Sequence, residues 1–157
     1  MILFSGIDLD LKLFWTENWF NMKDGENIIV STDKSLLNVA LIREFLTETY
    51  WGKGRTIVEV RRTIEHSLCF GLYMDRRQIG FARVLSDRVA FAYLLDVFVL
   101  EDYRGRGFSK ILLEKILNYP ELKKVRKWLL ATEDAHGLYR QFGFRPVDNP
   151  GRLMERV

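Results

Sequence analysis

The sequence "EDYRGRGFSKILLEKIL", residues 101–117, places two glycines and two arginines directly before an apolar helical pattern. The first N–H groups of a helix lack partners and carry partial positive charge, so a helix start attracts anions. Glycine lets the backbone approach a phosphate closely, and Arg104, Arg106 and Lys110 add full charges. The stretch predicts a phosphate-binding turn, but a glycine-softened turn with solvated arginines explains it equally well.

Two common phosphate-binding motifs are excluded by single positions in this stretch. A P-loop requires Gly-Lys followed by Ser or Thr, whereas here Lys110 follows Ser109. A dinucleotide-binding fingerprint requires a third glycine at position 110, which is lysine. The helix start therefore remains a candidate anion site of another kind.

Composition indicates one folded domain. The chain has 157 residues, of which 48% are hydrophobic, and a net charge of +3, which permits an anionic ligand without demanding nucleic acid. Cys69 is the single cysteine, so the chain cannot form an internal disulfide, which is consistent with a protein of a reducing compartment. The start "MILFSGIDLD" is a poor secretory signal, and "VAFAYLLDVFVL" is interrupted by Asp96 and too short to cross a bilayer. We expect a cytoplasmic protein with no membrane partner.

Periodicity and capping signals predict helices interleaved with strands. The helices are predicted over residues 31–51, 56–67, 105–118 and 133–143, the second opened by a Thr56–Glu59 capping box. Residues 67–100 are predicted to form a three-stranded antiparallel meander, and residues 124–132 a buried strand. Further strands are predicted over 7–15, 27–30, 144–147 and 152–157. The order indicates an α/β (α+β) fold with a mixed, mostly antiparallel sheet flanked by helices.

Two motifs resemble those of the GNAT superfamily of N-acetyltransferases. Residues 104–109, "RGRGFS", resemble its acyl-CoA signature Q/R-x-x-G-x-G/A, with Ser109 where the family has Gly or Ala. Residues 131–144, "ATEDAHGLYRQFGF", are similar to the family's A-x-x-x-Y-x-x-x-G-F segment, which places Tyr139 at the tyrosine. The resemblance implies a single GNAT-like domain over 27–157, with a sheet splayed at its central strands. Residues 1–26 would form an N-terminal extension that adds an edge strand or contacts a second subunit.

The resemblance implies acetyl-CoA as the acyl donor and no metal. Its pantetheine arm would pair with backbone exposed by the splayed sheet, as an added strand would. Thr132 stands where the family often has an asparagine that contacts pantetheine. The implied cofactor-binding residues are Phe98, Val99, Arg104, Gly105, Arg106, Gly107, Phe108, Ser109, Lys110 and Thr132.

The resemblance also implies catalytic roles. Tyr139 would protonate the leaving thiolate, and the Val99 N–H would stabilise the oxyanion. By spacing alone, Tyr139 is more simply a core aromatic, because Leu138 and Phe142 lie on the same stripe. Asp96 interrupts an apolar strand, so it is the base, the partner of an arginine such as Arg83, or an acceptor of backbone N–H bonds.

The neighbouring candidates are weaker. Tyr50 and Trp51 could form the wall of an amine pocket or simply pack under their linker. His136 could titrate near neutral pH but more simply caps its helix or points to solvent, and Asp134 is most simply the N-cap of that helix.

The sequence thus predicts an N-acetyltransferase that acts on a primary amine of a small molecule or peptide. The alternative is a non-catalytic regulatory module that binds acetyl-CoA. A nucleic-acid partner is disfavoured because the arginines concentrate at one glycine turn instead of interleaving with exposed aromatics. A homodimer is compatible with the N-terminal extension.

Overall fold

The computed structural model describes residues 18–23 and 26–156, so the strand predicted over 7–15 lies outside the described residues. Six strands form one sheet in the order of the sequence, and every neighbouring pair is antiparallel except β5 and β6. The strands are β1 Asn18–Lys23, β2 Glu26–Ser31, β3 Leu68–Met74, β4 Arg77–Ser86, β5 Phe91–Val99 and β6 Lys127–Leu129. The predicted meander is confirmed as β3, β4 and β5.

The helices are α1 Val39–Glu48, α2 Ile57–Glu65, α3 Phe108–Leu117 and α4 His136–Arg140. The capping box at Thr56 and Glu59 is confirmed, with both reciprocal hydrogen bonds present. Two helices begin later than predicted. The Asn38 side chain caps α1, and left-handed Gly107, with a φ of 82°, directly precedes α3.

The predictions for the C-terminal strands are wrong. Residues 144–147 and 153–156 adopt no regular structure, and Pro150–Arg152 forms a 3-10 turn. Prolines 146 and 150 cannot donate to a strand ladder, and Arg145 pairs with Asp148 within this segment. The strand predicted over 124–132 is reduced to the three residues of β6, which are exposed or half-buried.

The sheet separates two hydrophobic cores. α1 and α2 cover one face, where Ile42, Leu46, Val60 and Ile64 pack against Cys69, Phe81 and Phe98 of the sheet. α3 and α4 cover the other face, and their core contains Phe108, Leu112, Leu113, Ile116 and Tyr139 with Phe70, Leu72, Val84, Ala92, Leu94 and Val99. Each strand of the meander therefore contributes side chains to both cores.

The sheet is splayed between β5 and β6, as predicted. β6 pairs with β5 only at Phe91, Ala92 and Tyr93. Beyond Tyr93, β5 continues to Val99, and the part of the chain that the structure describes places no strand beside it on that side. The second half of β5 thus offers strand backbone to an extended ligand.

A β-bulge interrupts β5 at the start of this opening. Phe81 pairs with Phe98 and Arg83 pairs with Leu95, so two residues, Asp96 and Val97, lie opposite one residue of β4. Asp96 has a φ of 51°, in the left-handed region that Asp and Asn tolerate better than most side chains.

Candidate active site

The glycine-rich turn before α3 is shaped to receive an anion. Gly105 and Gly107 have φ angles of 74° and 82°, and no side chain of the described residues caps the helix start. A Cβ added at Gly105 would meet no other atom of the described part of the chain within 4 Å, so the turn is open at Gly105. A helix start without a side-chain cap, beside open space, can bind phosphate oxygens.

The charged side chains of this turn are partly engaged by the protein itself. Arg104 donates from Nε to the Val99 carbonyl at 3.1 Å, which ties the turn to the end of β5. Arg106 forms an ion pair with Glu26 on β2 and lies over the Phe108 ring, 4.8 Å from its centroid. Lys110 is exposed, and Ser109 is half-buried in the first turn of α3. Arg106 is therefore anchored to the sheet, and a direct role of its guanidinium on phosphate stays a prediction.

A cavity of about 320 Å³ lies beside the unpaired half of β5. Its lining includes predicted residues from three separate parts of the chain: Tyr50 and Trp51 after α1, Asp96 on β5, and Thr132 and Tyr139 around α4. Phe98 and Val99 are buried farther along β5. The fold thus brings the predicted catalytic and substrate-binding residues to one site.

Asp96 is buried and holds two arginines on one oxygen. Its Oδ2 accepts hydrogen bonds from Arg83 Nε at 2.5 Å and from Arg55 Nη1 at 2.8 Å. The Asp96 side chain is 1% exposed, and its Oδ1 is buried without a hydrogen-bond partner among the described residues. The pairing of Asp96 with Arg83 occurs as anticipated, and the second carboxylate oxygen is enclosed by the protein without a partner among the described residues.

Tyr139 is buried at 8% exposure on α4, with its ring 5.9 Å from that of Phe144 in an edge-on arrangement. Burial raises the pKa of Tyr139 to about 12, and the negative charge of Asp134 acts in the same direction. The phenol therefore keeps its proton at neutral pH and can act as a hydrogen-bond donor or acid in the cavity.

Tyr50 and Trp51 form an aromatic wall at the mouth of the cavity. Their rings meet edge to face with centroids 4.8 Å apart, and they are 55% and 40% exposed. The Tyr50 hydroxyl accepts the Glu133 N–H at 3.2 Å, which links the loop after α1 to the segment before α4. Two large, exposed aromatic faces beside a cavity fit a binding surface better than core packing.

Comparison with known proteins identifies the domain. The model of the acetyltransferase (GNAT) family matches residues 38–144, more than half of the chain. The chain belongs to the GNAT family.

Relatives and solved structures agree with this assignment. A Gibberella zeae protein that carries a provisional acetyltransferase name is 30% identical over 74% of this chain and 78% of its own length. The crystal structure of a Xanthomonas campestris protein, assigned provisionally to the GNAT family, is 51% identical with a TM-score of 0.80, covering 83% of this chain and 92% of that one. A Clostridium acetobutylicum protein, crystallised with acetyl-CoA, has the same fold at 13% identity and a TM-score of 0.61, covering 84% and 96%.

Membership of the GNAT family assigns acetyl transfer as the reaction class. Within residues 18–23 and 26–156, no helix combines the length and the apolar character needed to cross a membrane.

The start of α4 in this GNAT domain differs from the prediction. α4 begins after Ala135, and the Thr132 hydroxyl, not the Asp134 carboxylate, accepts the Ala135 N–H at 3.0 Å. Asp134 is exposed and lines the cavity near Tyr139. His136 is exposed and lines a neighbouring cavity of about 510 Å³ that also reaches Tyr139. Because the Thr132 hydroxyl can still donate a proton, its occupation as an acceptor does not prevent a ligand contact.

Sequence reasoning missed Arg55. Arg55 follows the glycine-rich linker after α1, where a single arginine has no distinguishing pattern, and its partner Asp96 lies 41 positions away. A buried aspartate in an apolar strand signals the need for a cationic partner. That signal named Arg83 on the adjacent strand but could not indicate a second arginine from a loop.

Proposed function

We propose that this GNAT acetyltransferase transfers the acetyl group of acetyl-CoA to a primary amine of a small molecule or peptide, by direct attack of the amine on the thioester. The observation that carries the proposal is one cavity lined by Tyr139 and Asp96, beside unpaired β5 backbone. A proton donor and a proton acceptor are two groups that assist acetyl transfer to an amine.

Two elements of the chain would bind the pyrophosphate and the pantetheine arm of acetyl-CoA. The backbone N–H groups of the turn over 104–109 would bind the pyrophosphate, with Lys110 and Arg104 supplying positive charge. The β5 backbone near Phe98 and Val99 would hydrogen-bond the pantetheine arm as an added strand does. The crystal structure of the Clostridium acetobutylicum protein with acetyl-CoA, which shares this fold, supports the choice of ligand.

Three groups of the chain would carry the chemistry. As the amine nitrogen bonds to the thioester carbon, it would lose a proton through water to the Asp96 carboxylate. The carbon–sulfur bond would then break, and solvent would take the proton from Asp96 and restore the one that Tyr139 gives to the sulfur. The Val99 N–H would stabilise the negative charge that develops on the carbonyl oxygen. Tyr139 would donate its proton to the departing sulfur, because its raised pKa keeps the phenol protonated.

The proposal is tested by two measurements on the same protein. Thermal stabilisation by acetyl-CoA reports binding, and release of free thiol over a panel of primary amines reports turnover. We expect both. Stabilisation without thiol release on any amine would favour the regulatory module, and no stabilisation by acetyl-CoA would reject both functions.

A further inference from the structure

Arg55 presents an incompletely used guanidinium to the cavity. Its side chain is 26% exposed, and Nη1 is bonded to Asp96 Oδ2 at 2.8 Å. Among the residues that the structure describes, Asp96 is the one side chain to which Arg55 donates a hydrogen bond. A guanidinium carries five N–H donors in a planar fork, so most of its donor capacity remains for a ligand.

The Asp96 carboxylate fixes Arg55 without neutralising the whole cluster. Arg83, whose side chain is 8% exposed, binds the same Oδ2 from β4. One negative charge therefore faces two positive charges in this cluster. The exposed Asp134 carboxylate also lines the cavity, and solvent screens its charge. Beside Arg55, an anionic group of a ligand would complete the charge balance.

The cavity is small, about 320 Å³, and Arg55 and Tyr139 both line it. An acceptor whose amine reaches the thioester beside Tyr139 therefore places a group bound by Arg55 only a short distance from that amine. The arrangement suits a ligand in which an amine and an anion are close together.

We propose that the acetyl acceptor carries a carboxylate adjacent to its amine, as an α-amino acid does, and that Arg55 binds this carboxylate. Tyr50 and Trp51 then face the acceptor's side chain and favour an apolar or aromatic one. This inference rests on the proposed acetyl transfer to an amine and names the class of that amine.

The test compares acceptors that differ only in the carboxylate. Thiol release is measured with L-phenylalanine against 2-phenylethylamine, and with L-leucine against 3-methylbutylamine. A charge-assisted hydrogen bond contributes about tenfold or more to binding, so we expect kcat/KM to be about tenfold or more higher for each amino acid. The preference should collapse in Arg55→Met and be partly restored in Arg55→Lys, which keeps the charge without the fork.

Comparison with the native protein removes the intrinsic reactivity of each amine. For each variant, kcat/KM for the amino acid is divided by kcat/KM for the matching amine, and this ratio is divided by the same ratio of the native protein, so differences in amine basicity cancel. Arg61→Gln, an exposed arginine of α2 outside the cavity lining, is the matched control and should keep the native ratio. Thermal stabilisation by acetyl-CoA confirms that each variant is folded and binds the donor.

The outcomes separate this inference from the function on which it rests. Acetylation of the decarboxylated amines as fast as the amino acids, with acetyl-CoA binding intact, overturns the inference and leaves acetyl transfer to amines standing. An unchanged preference in Arg55→Met overturns the role of Arg55. No thiol release with any amine overturns the proposed function, and this inference with it.

Discussion

Asp96→Ala should destabilise the domain strongly, because it leaves the Arg83 charge buried without its anion. The Arg83 side chain is 8% exposed and cannot turn to solvent, whereas Arg55, at 26%, can. Breaking a buried ion pair from one side costs about 3–5 kcal/mol, mostly from the orphaned charge. Alanine at a φ of 51° adds about 1 kcal/mol of backbone strain. We expect a loss of roughly 4–6 kcal/mol, which lowers the melting temperature by about 10 °C or more.

Urea denaturation of three variants measures this cost and tests its cause. Asp96→Asn keeps the shape of the side chain and its tolerance of the left-handed conformation, so it isolates the charge. Arg83→Met added to Asp96→Ala removes the orphaned cation and should recover much of the lost stability. If Asp96→Ala loses less than about 1 kcal/mol, or if the double variant is no more stable than the single one, the buried charge is not the cause.

Three further predictions follow from the site and its surroundings. Tyr139→Phe should lower kcat about 100-fold with little change in acetyl-CoA affinity. Tyr119 packs against Phe70, and the control variant Tyr119→Phe should leave kcat unchanged. Since the pKa of Tyr139 is raised to about 12, deprotonation should begin to lower kcat only above about pH 11; a Tyr139-dependent fall near pH 10 would contradict this. Gly107→Ala and Gly54→Ala impose similar backbone strain, because the two glycines have φ angles of 82° and 83°. Calorimetry should show acetyl-CoA binding weakened about tenfold or more in Gly107→Ala, where the added Cβ would obstruct the phosphate, and unchanged in Gly54→Ala. Burial raises the pKa of Cys69 to about 11, so a thiol reagent at pH 8 should label it only in urea, and rapid labelling of the native protein would refute its burial.

The features that the sequence predicted best depend on neighbouring residues. The capping box at Thr56 and Glu59 closes within one turn of helix, so its residue types are sufficient to place the start of α2. The turn between β3 and β4 uses Asp75 and Arg76, both with positive φ, and joins two apolar runs that are adjacent in the sequence. In such cases the sequence contains both partners of the interaction within a few positions.

The predictions failed where structure depends on a distant partner. Residues 144–147 and 152–156 have the apolar content of strands, but a strand needs a free edge in register, and only three residues of β6 pair with β5. The cluster of Arg55, Arg83 and Asp96 joins a loop to two strands across 41 and 13 positions. No local pattern records those separations, so only the folded chain reveals the second arginine.

The bulge in β5 explains why the buried carboxylate and the opening of the sheet occur together. Ala92 and Leu94 face the core under α3 and α4, and strict alternation would place Asp96 on the same face. The extra residue at the bulge reverses the alternation. Val99 faces the α3 core, while Phe98 faces the α1 and α2 core.

Asp96 is thereby turned to the face of the sheet where Arg83 and Arg55 lie. A bulge also bends its strand and increases its twist, and the pairing with β6 ends at Tyr93, just before the bulge. The bulge therefore places the Asp96 carboxylate on the face of the sheet where Arg83 and Arg55 lie. It also directs the following β5 backbone away from β6, to the position proposed for the acyl donor. The left-handed φ of Asp96 is the conformational strain that this arrangement requires.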